Sequence, residues 1–166
     1  MSRRGCVARS RRRSRESGSV FVEFACSFLM LTTMFTGLYQ FGYTFYAYNE
    51  LVSAVRAGAR YASLKPYDST TSTPSDAFKT AVQNVVVYGD PNPPDGAAPI
   101  VRGLTTSNVQ LVPAGTGGGG VGIFNPTSMT VSINNYQINS VFATTTMNGR
   151  PLATYPYTGV LTPPAS

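Results

Sequence analysis

The chain has 166 residues, of which 12 % are charged, and a formal net charge of +6. That length holds one domain of ordinary size. Histidine and tryptophan are absent, so the usual acid–base group at neutral pH is missing and a Ser/His/Asp apparatus is excluded.

The net charge is local. Residues 1–18 hold seven arginines (Arg3, Arg4, Arg9, Arg11, Arg12, Arg13 and Arg15) and one acid, Glu16, which together account for all of the +6. The remainder has six basic and six acidic residues and is neutral. A basic arm joined to a neutral body offers no basic face to DNA or RNA, and no nucleic-acid partner is expected. Cys6 in the arm and Cys26 in the following apolar run give neither a disulfide framework nor a metal-ligand spacing. The arm has few apolar residues and is expected to be a disordered cytoplasmic leader, residues 1–18.

From Ser19 to Leu38 the sequence reads SVFVEFACSFLMLTTMFTGL, with Glu23 as its only charge. About 20 mainly apolar residues suffice to cross a bilayer as a helix, and the span is placed at about residues 20–40. Six aromatics then crowd into ten residues, Tyr39, Phe41, Tyr43, Phe45, Tyr46 and Tyr48. Such rings favour the membrane–water interface. Arginines upstream and none close downstream put the N-terminus in the cytoplasm and the C-terminal part outside it.

No proline occurs before Pro66, so the helix is expected to continue to Lys65. Phe41, Phe45, Tyr48, Val52, Val55, Ala59 and Ala62 repeat at steps of four and three and form an apolar seam. Asn49, Ser53, Arg56, Arg60 and Ser63 form the opposing polar stripe. Ser19 to Lys65 makes 47 residues, roughly 70 Å at about 1.5 Å per residue. Half of that would stand clear of a membrane with an apolar stripe that needs a cover.

Residues 66–166 supply the cover, an exported head. STTSTPSD (Ser69–Asp76) is a polar loop, and Ser75 or Asp76 is placed to cap a short helix from Ala77 to about Tyr88, with Gly89 after its end. Asp90–Gly96 is a turn-rich break. Its two acids are split by prolines and do not match a calcium loop. Strand-like runs follow at Ile100–Thr105, Asn108–Val112, Met129–Ile133 and Gln137–Thr145. Gly115–Gly120, GTGGGG, lacks the Lys-Ser/Thr of a phosphate loop and reads as a hairpin connection. The last stretch, from Arg150, is Pro-rich and expected to be extended. The fold class is α+β: a long N-terminal transmembrane helix continuing into a small head with a short helix and an antiparallel sheet.

Glu23 is the anomaly. Five residues into the apolar run, a carboxylate is unfavourable by up to about 2.5–3.5 kcal/mol, less near a bilayer edge, and such residues usually face a partner. No Lys or Arg lies in the span. A cut after Gly18 would supply one: the new α-amine of Ser19, largely protonated at neutral pH. Ser19 and Glu23 lie one helical turn apart, and between staggered subunits the Glu23 of one meets the amine of another. Such a pair would specify register as much as stability.

A basic leader, Gly18, a small residue, then Glu23 at the fifth position of an apolar helix resembles the class III signal of type IV pilins. The stretch Glu16–Ser63 resembles more closely the TadE-like pseudopilins of the tight-adherence (Tad, type IVc) system. The matching features are Gly18, Val22-Glu23-Phe24, Phe41-Gly42 with nearby aromatics, and AVRAGARYA at Ala54–Ala62; VVYG at Val86–Gly89 is also similar. The resemblance implies cleavage between Gly18 and Ser19 by an inner-membrane prepilin peptidase, with Glu23 and Ser19 in assembly. Phe24, Gly42, Ala57, Gly58 and Ala59 are read as helix-packing positions. The implied role is a minor pilin or pseudopilin of an Flp-type pilus, partnered by other pilin subunits and the Tad machinery in a bacterial inner membrane, with the head periplasmic or extracellular. No catalytic residue, cofactor, metal or small-molecule substrate is expected. The competing reading is an unprocessed single-pass anchor with an exported binding domain.

Overall fold

The structure is a computed structural model, and it describes residues 13–117, 124–140 and 143–159. Its elements, in chain order, are helix α1 (Arg13–Leu64), helix α2 (Asp76–Tyr88), a 3-10 turn (Thr106–Asn108) and five strands: β1 (Val109–Gly117), β2 (Phe124–Ile133), β3 (Tyr136–Asn139), β4 (Thr144–Met147) and β5 (Leu152–Pro156). The class is α+β. The chain divides into two compact units, one ending at Gly42 and one beginning at Tyr43.

The first unit is the apolar half of α1. The helix begins at Arg13, so the expectation of a disordered leader fails for residues 13–18; residues 1–12 lie outside the described residues. Arginine and glutamate are good helix formers, and adding residues to an existing helix needs no new nucleus. From Val20 to Leu38 the large apolar side chains are exposed on every side, among them Phe21 at 73 % and Met30 at 77 %. The hydroxyls of Thr32, Thr33 and Thr36 turn back onto helix carbonyls, with Thr32 Oγ1 donating to Phe28 O at 2.8 Å and Thr36 Oγ1 to Thr32 O at 2.8 Å. Back-bonding of this kind removes their cost in an apolar medium.

The second unit is the head with the rest of α1. The buried line on α1 is Ala47, Leu51, Ala54, Val55, Ala59 and Ala62, with Gly58 in the same line. The expected seam is thereby corrected: Phe41 and Phe45 are exposed and Val52 is half-buried. Small residues, not rings, face the core, because they let another backbone approach. Asn49, Ser53, Arg56 and Arg60 are exposed as a polar stripe, but Ser63 is buried. Its hydroxyl donates to Arg60 O at 2.8 Å, and its carbonyl accepts the N–H of Thr158 at 2.9 Å and of Gly159 at 3.1 Å. The chain after β5 thus satisfies a carbonyl in the last turn of α1, where helices leave acceptors open.

Helix α2 forms as its ends dictate. Ser75 Oγ accepts the Phe78 N–H at 3.1 Å, and Gly89, at φ 78°, donates its N–H to Val85 O at 3.0 Å. It buries Phe78, Val82, Val86 and Val87 against α1 and the sheet residues Met129, Val131 and Ile133. A Cβ on Gly58 would collide with Val86 Cγ2, so α1 and α2 meet at a point that admits only a hydrogen.

The strands make two antiparallel sheets, β1-β2-β5 and β3-β4. The run Ile100–Thr105 is not a strand. Its apolar residues Val101 and Leu104 are buried, but Gly103 has φ 81° and Leu104 N–H donates to Val101 O at 3.1 Å, which makes a turn. The run Asn108–Val112 extends to Gly117, and Met129–Ile133 extends back to Phe124. The single run Gln137–Thr145 is two strands, paired from Tyr136↔Met147 to Asn139↔Thr144. The extended tail contains β5, paired with β2 from Ser128↔Pro156 to Ser132↔Leu152. The loop glycines Gly118–Gly120 lie outside the described residues.

Candidate functional site

Gly18, Ser19 and Glu23 lie on the first turns of α1 and are all exposed. A Cβ at Gly18 would meet nothing within 4 Å. Phe24 is exposed and stacks on Phe28 with ring centroids 6.2 Å apart, along the same surface. Glu23 makes no ion pair with a described residue, and Cys26 is a free, exposed thiol. The carboxylate therefore stands on an apolar helix surface with its neighbours open to whatever surrounds that surface. Chemically, the site offers one carboxylate that can accept hydrogen bonds or pair with a cation.

The packing candidates separate. Gly58 and Ala59 are buried in the head core, Ala57 is exposed, and Gly42 is exposed with open space where a Cβ would be. The aromatic zone holds the boundary between the two units: Phe41, Phe45 and Tyr46 are exposed, while Tyr43 and Tyr48 are half-buried.

Two cavities of the head were not legible in the sequence. One, of 630 Å³, is lined by Tyr43, Arg102, Asn108, Tyr136, Gln137 and Ser140 among others. There the Tyr136 hydroxyl donates to Arg102 O at 2.9 Å, and burial pushes its phenol above the ordinary value. The other, of 570 Å³, is lined by Tyr48, Val52, Arg56, Arg150, Pro151 and Leu152, with Asn49 beside them. Arg56 belongs to the exposed polar stripe, and nothing in the sequence brings Arg150 to it.

Helix α1 from Gly18 to Leu64 is long and apolar enough to cross a membrane, and none of its most apolar window is buried. Within this chain the segment is therefore not a core helix, and an apolar surface on all sides suits a membrane span. Residues 18–60 match the model of the family described as TadE-like protein. The match runs from Gly18 through Arg60, so the resemblance read in the sequence holds over this segment, and the chain carries a TadE-like N-terminal part. No curated protein and no solved structure matches. The TadE-like segment and the candidate span near the N-terminus fit a pilin-like membrane protein of the Tad type with a single pass.

Proposed function

We propose that this chain is a minor pilin or pseudopilin-like structural subunit of a Tad (type IVc, Flp) pilus assembly system. It is inserted in a bacterial inner membrane, cut after Gly18 by a prepilin peptidase and assembled through its N-terminal helix. The role is structural, not catalytic. The observation that carries the reading is one carboxylate, Glu23, on an exposed apolar helix whose family match starts at Gly18.

Each part has a physical reason. Gly18 weakens the helix by roughly 0.5–1 kcal/mol relative to Ala, which favours local opening where a peptidase must bind. The cut removes the basic arm and leaves a neutral subunit, because the remaining acids and bases balance. It also creates the Ser19 ammonium that Glu23 requires. Paired across subunits, the two charges escape the cost of solitary burial and reject slipped registers.

The test is the mass and N-terminal sequence of the protein from its native membrane, with the peptidase present and absent. A start at Ser19 that depends on the peptidase supports the reading. A start at Met1 or Ser2 in both leaves the unprocessed anchor with an exported binding domain.

A further inference from the structure

The sheet β1-β2-β5 has two outer strands, and they differ. On the β1 side, Gln83 Nε2 of α2 donates to Val109 O at 3.0 Å, so the neighbouring helix already engages that strand. On the β5 side no strand follows among the described residues. The bonds flanking β5 fix its orientation: Ile133 N–H donates to Pro151 O, and Tyr157 N–H donates to Thr127 O. In an antiparallel ladder the bonded pairs recur every second residue. Ala153 and Tyr155, opposite Val131 and Met129, therefore face β2. The N–H and C=O groups of Leu152 and Thr154 point away from it. Both residues are exposed, and their N–H groups meet no acceptor among the described residues. Pro156 carries no N–H and ends the donor row.

At the start of this open edge lies the 570 Å³ cavity, and its charge is one-sided. Arg56 from α1 and Arg150 from the approach to β5 both line it, no acidic residue does, and neither guanidinium pairs with an acid among the described residues. Val52, Pro151 and Leu152 give it apolar walls. Two uncompensated guanidiniums at the end of an unpaired strand edge define a complementary ligand. It needs backbone acceptors and donors in extended form, and a carboxylate at the end that reaches the cavity.

We propose that the β5 edge and the Arg56/Arg150 cavity form one docking site for an extended, acidic segment of another polypeptide. The segment adds as a fourth strand along Leu152–Thr154, and its carboxylate enters between the two arginines. The backbone bonds supply adhesion and the arginines select for the acid. This surface belongs to the head, and it holds whether or not the N-terminal helix is processed.

The test uses the full chain in lipid nanodiscs and a fluorescein-labelled hexapeptide, acetyl-Glu-Thr-Val-Thr-Val-Thr-amide, read by fluorescence anisotropy. A second probe carries Gln in place of Glu. The Glu probe is expected to bind about tenfold more tightly than the Gln probe, and added salt is expected to narrow the gap. Arg150→Gln and Arg56→Gln are each expected to abolish that preference. Thr154→Pro removes one outward N–H and no backbone bond to β2, losing besides it only the exposed hydroxyl contact with Thr130 at 2.8 Å, so it is expected to weaken both probes while circular dichroism stays unchanged. Equal binding of the two probes to the unaltered chain, or no binding of either, overturns the proposal. Undiminished binding to a folded Thr154→Pro chain reduces the site to an anion pocket and overturns the strand addition.

Discussion

At Gly58 a hydrogen stands where a methyl group would collide with Val86 Cγ2. Val86 is fully buried and branched at Cβ, so it has no free rotamer to retreat into. Gly58→Ala is therefore expected to destabilise the head by about 1–3 kcal/mol, the range for overpacking a tight core. Gly42→Ala meets open space and gains helix propensity, so it is expected to be neutral or to stabilise by up to about 1 kcal/mol. Urea unfolding of the full chain in detergent micelles, followed by tyrosine near-ultraviolet circular dichroism, separates the two. A second residue-scale expectation concerns Glu23. Its exposed position means that Glu23→Ala touches no packed neighbour within the chain, so insertion into the membrane is expected to be unchanged. Under the charge-pair reading, co-assembly with other pilin subunits is expected to fall about tenfold or more, because the Ser19 ammonium is left without a partner. Co-purification at the unaltered level rules the pair out.

At the scale of elements, α2 is the clearest case of a structure written into local chemistry. Ser75 accepts the Phe78 N–H, Asp76 opens the first turn, and Gly89 closes the helix in the left-handed region. All three residues announce themselves in the sequence, and the helix stands one residue from its expected start. Ser75→Ala is expected to cost about 1 kcal/mol in the same urea experiment. The long helix was legible for a similar reason: its composition admits no break before Lys65-Pro66. Its buried face was harder to read. The rings of Phe41 and Phe45 have the right spacing for a seam, but the core selected Ala47, Ala54 and Gly58, whose value lies in how closely they let α2 and the sheet approach. The strands were legible where apolar and polar residues alternate, as in β2. At Ile100–Thr105 the same apolar content is buried by a turn, because Gly103 adopts φ 81° and breaks the extended path. The cavity of Arg56 and Arg150 depends on a pairing 94 positions apart in the chain, and no local signal encodes it. The Gly18–Glu23 pattern was readable because all its parts lie within six residues.

For the whole molecule, the head's tyrosines set how stability depends on pH. The Tyr67 phenol is raised above its ordinary value first by burial and then by the charge of Asp68 beside it. The Tyr136 phenol is raised first by burial and then by Tyr43. In both cases the folded chain holds the proton to higher pH than the unfolded chain, which releases it near the ordinary tyrosine value of about 10. The unfolded state therefore binds fewer protons in that window, and the free energy of unfolding falls as pH rises. This contribution is fully present below about pH 10 and is lost as pH climbs through the raised values. Histidine is absent, so no side chain with an ordinary value between pH 5 and 8 adds a second transition there. Urea midpoints of the full chain are thus expected to be flat from about pH 6 to 9 and to decline above about pH 10. Tyr136→Phe leaves the Arg102 carbonyl without its donor and is expected to lose about 1 kcal/mol at pH 8. The same substitution removes a titrating group that favours the neutral fold, so the alkaline decline is expected to be shallower. A decline equally steep in the variant would place the alkaline sensitivity elsewhere in the head, with Tyr67 the next residue to replace.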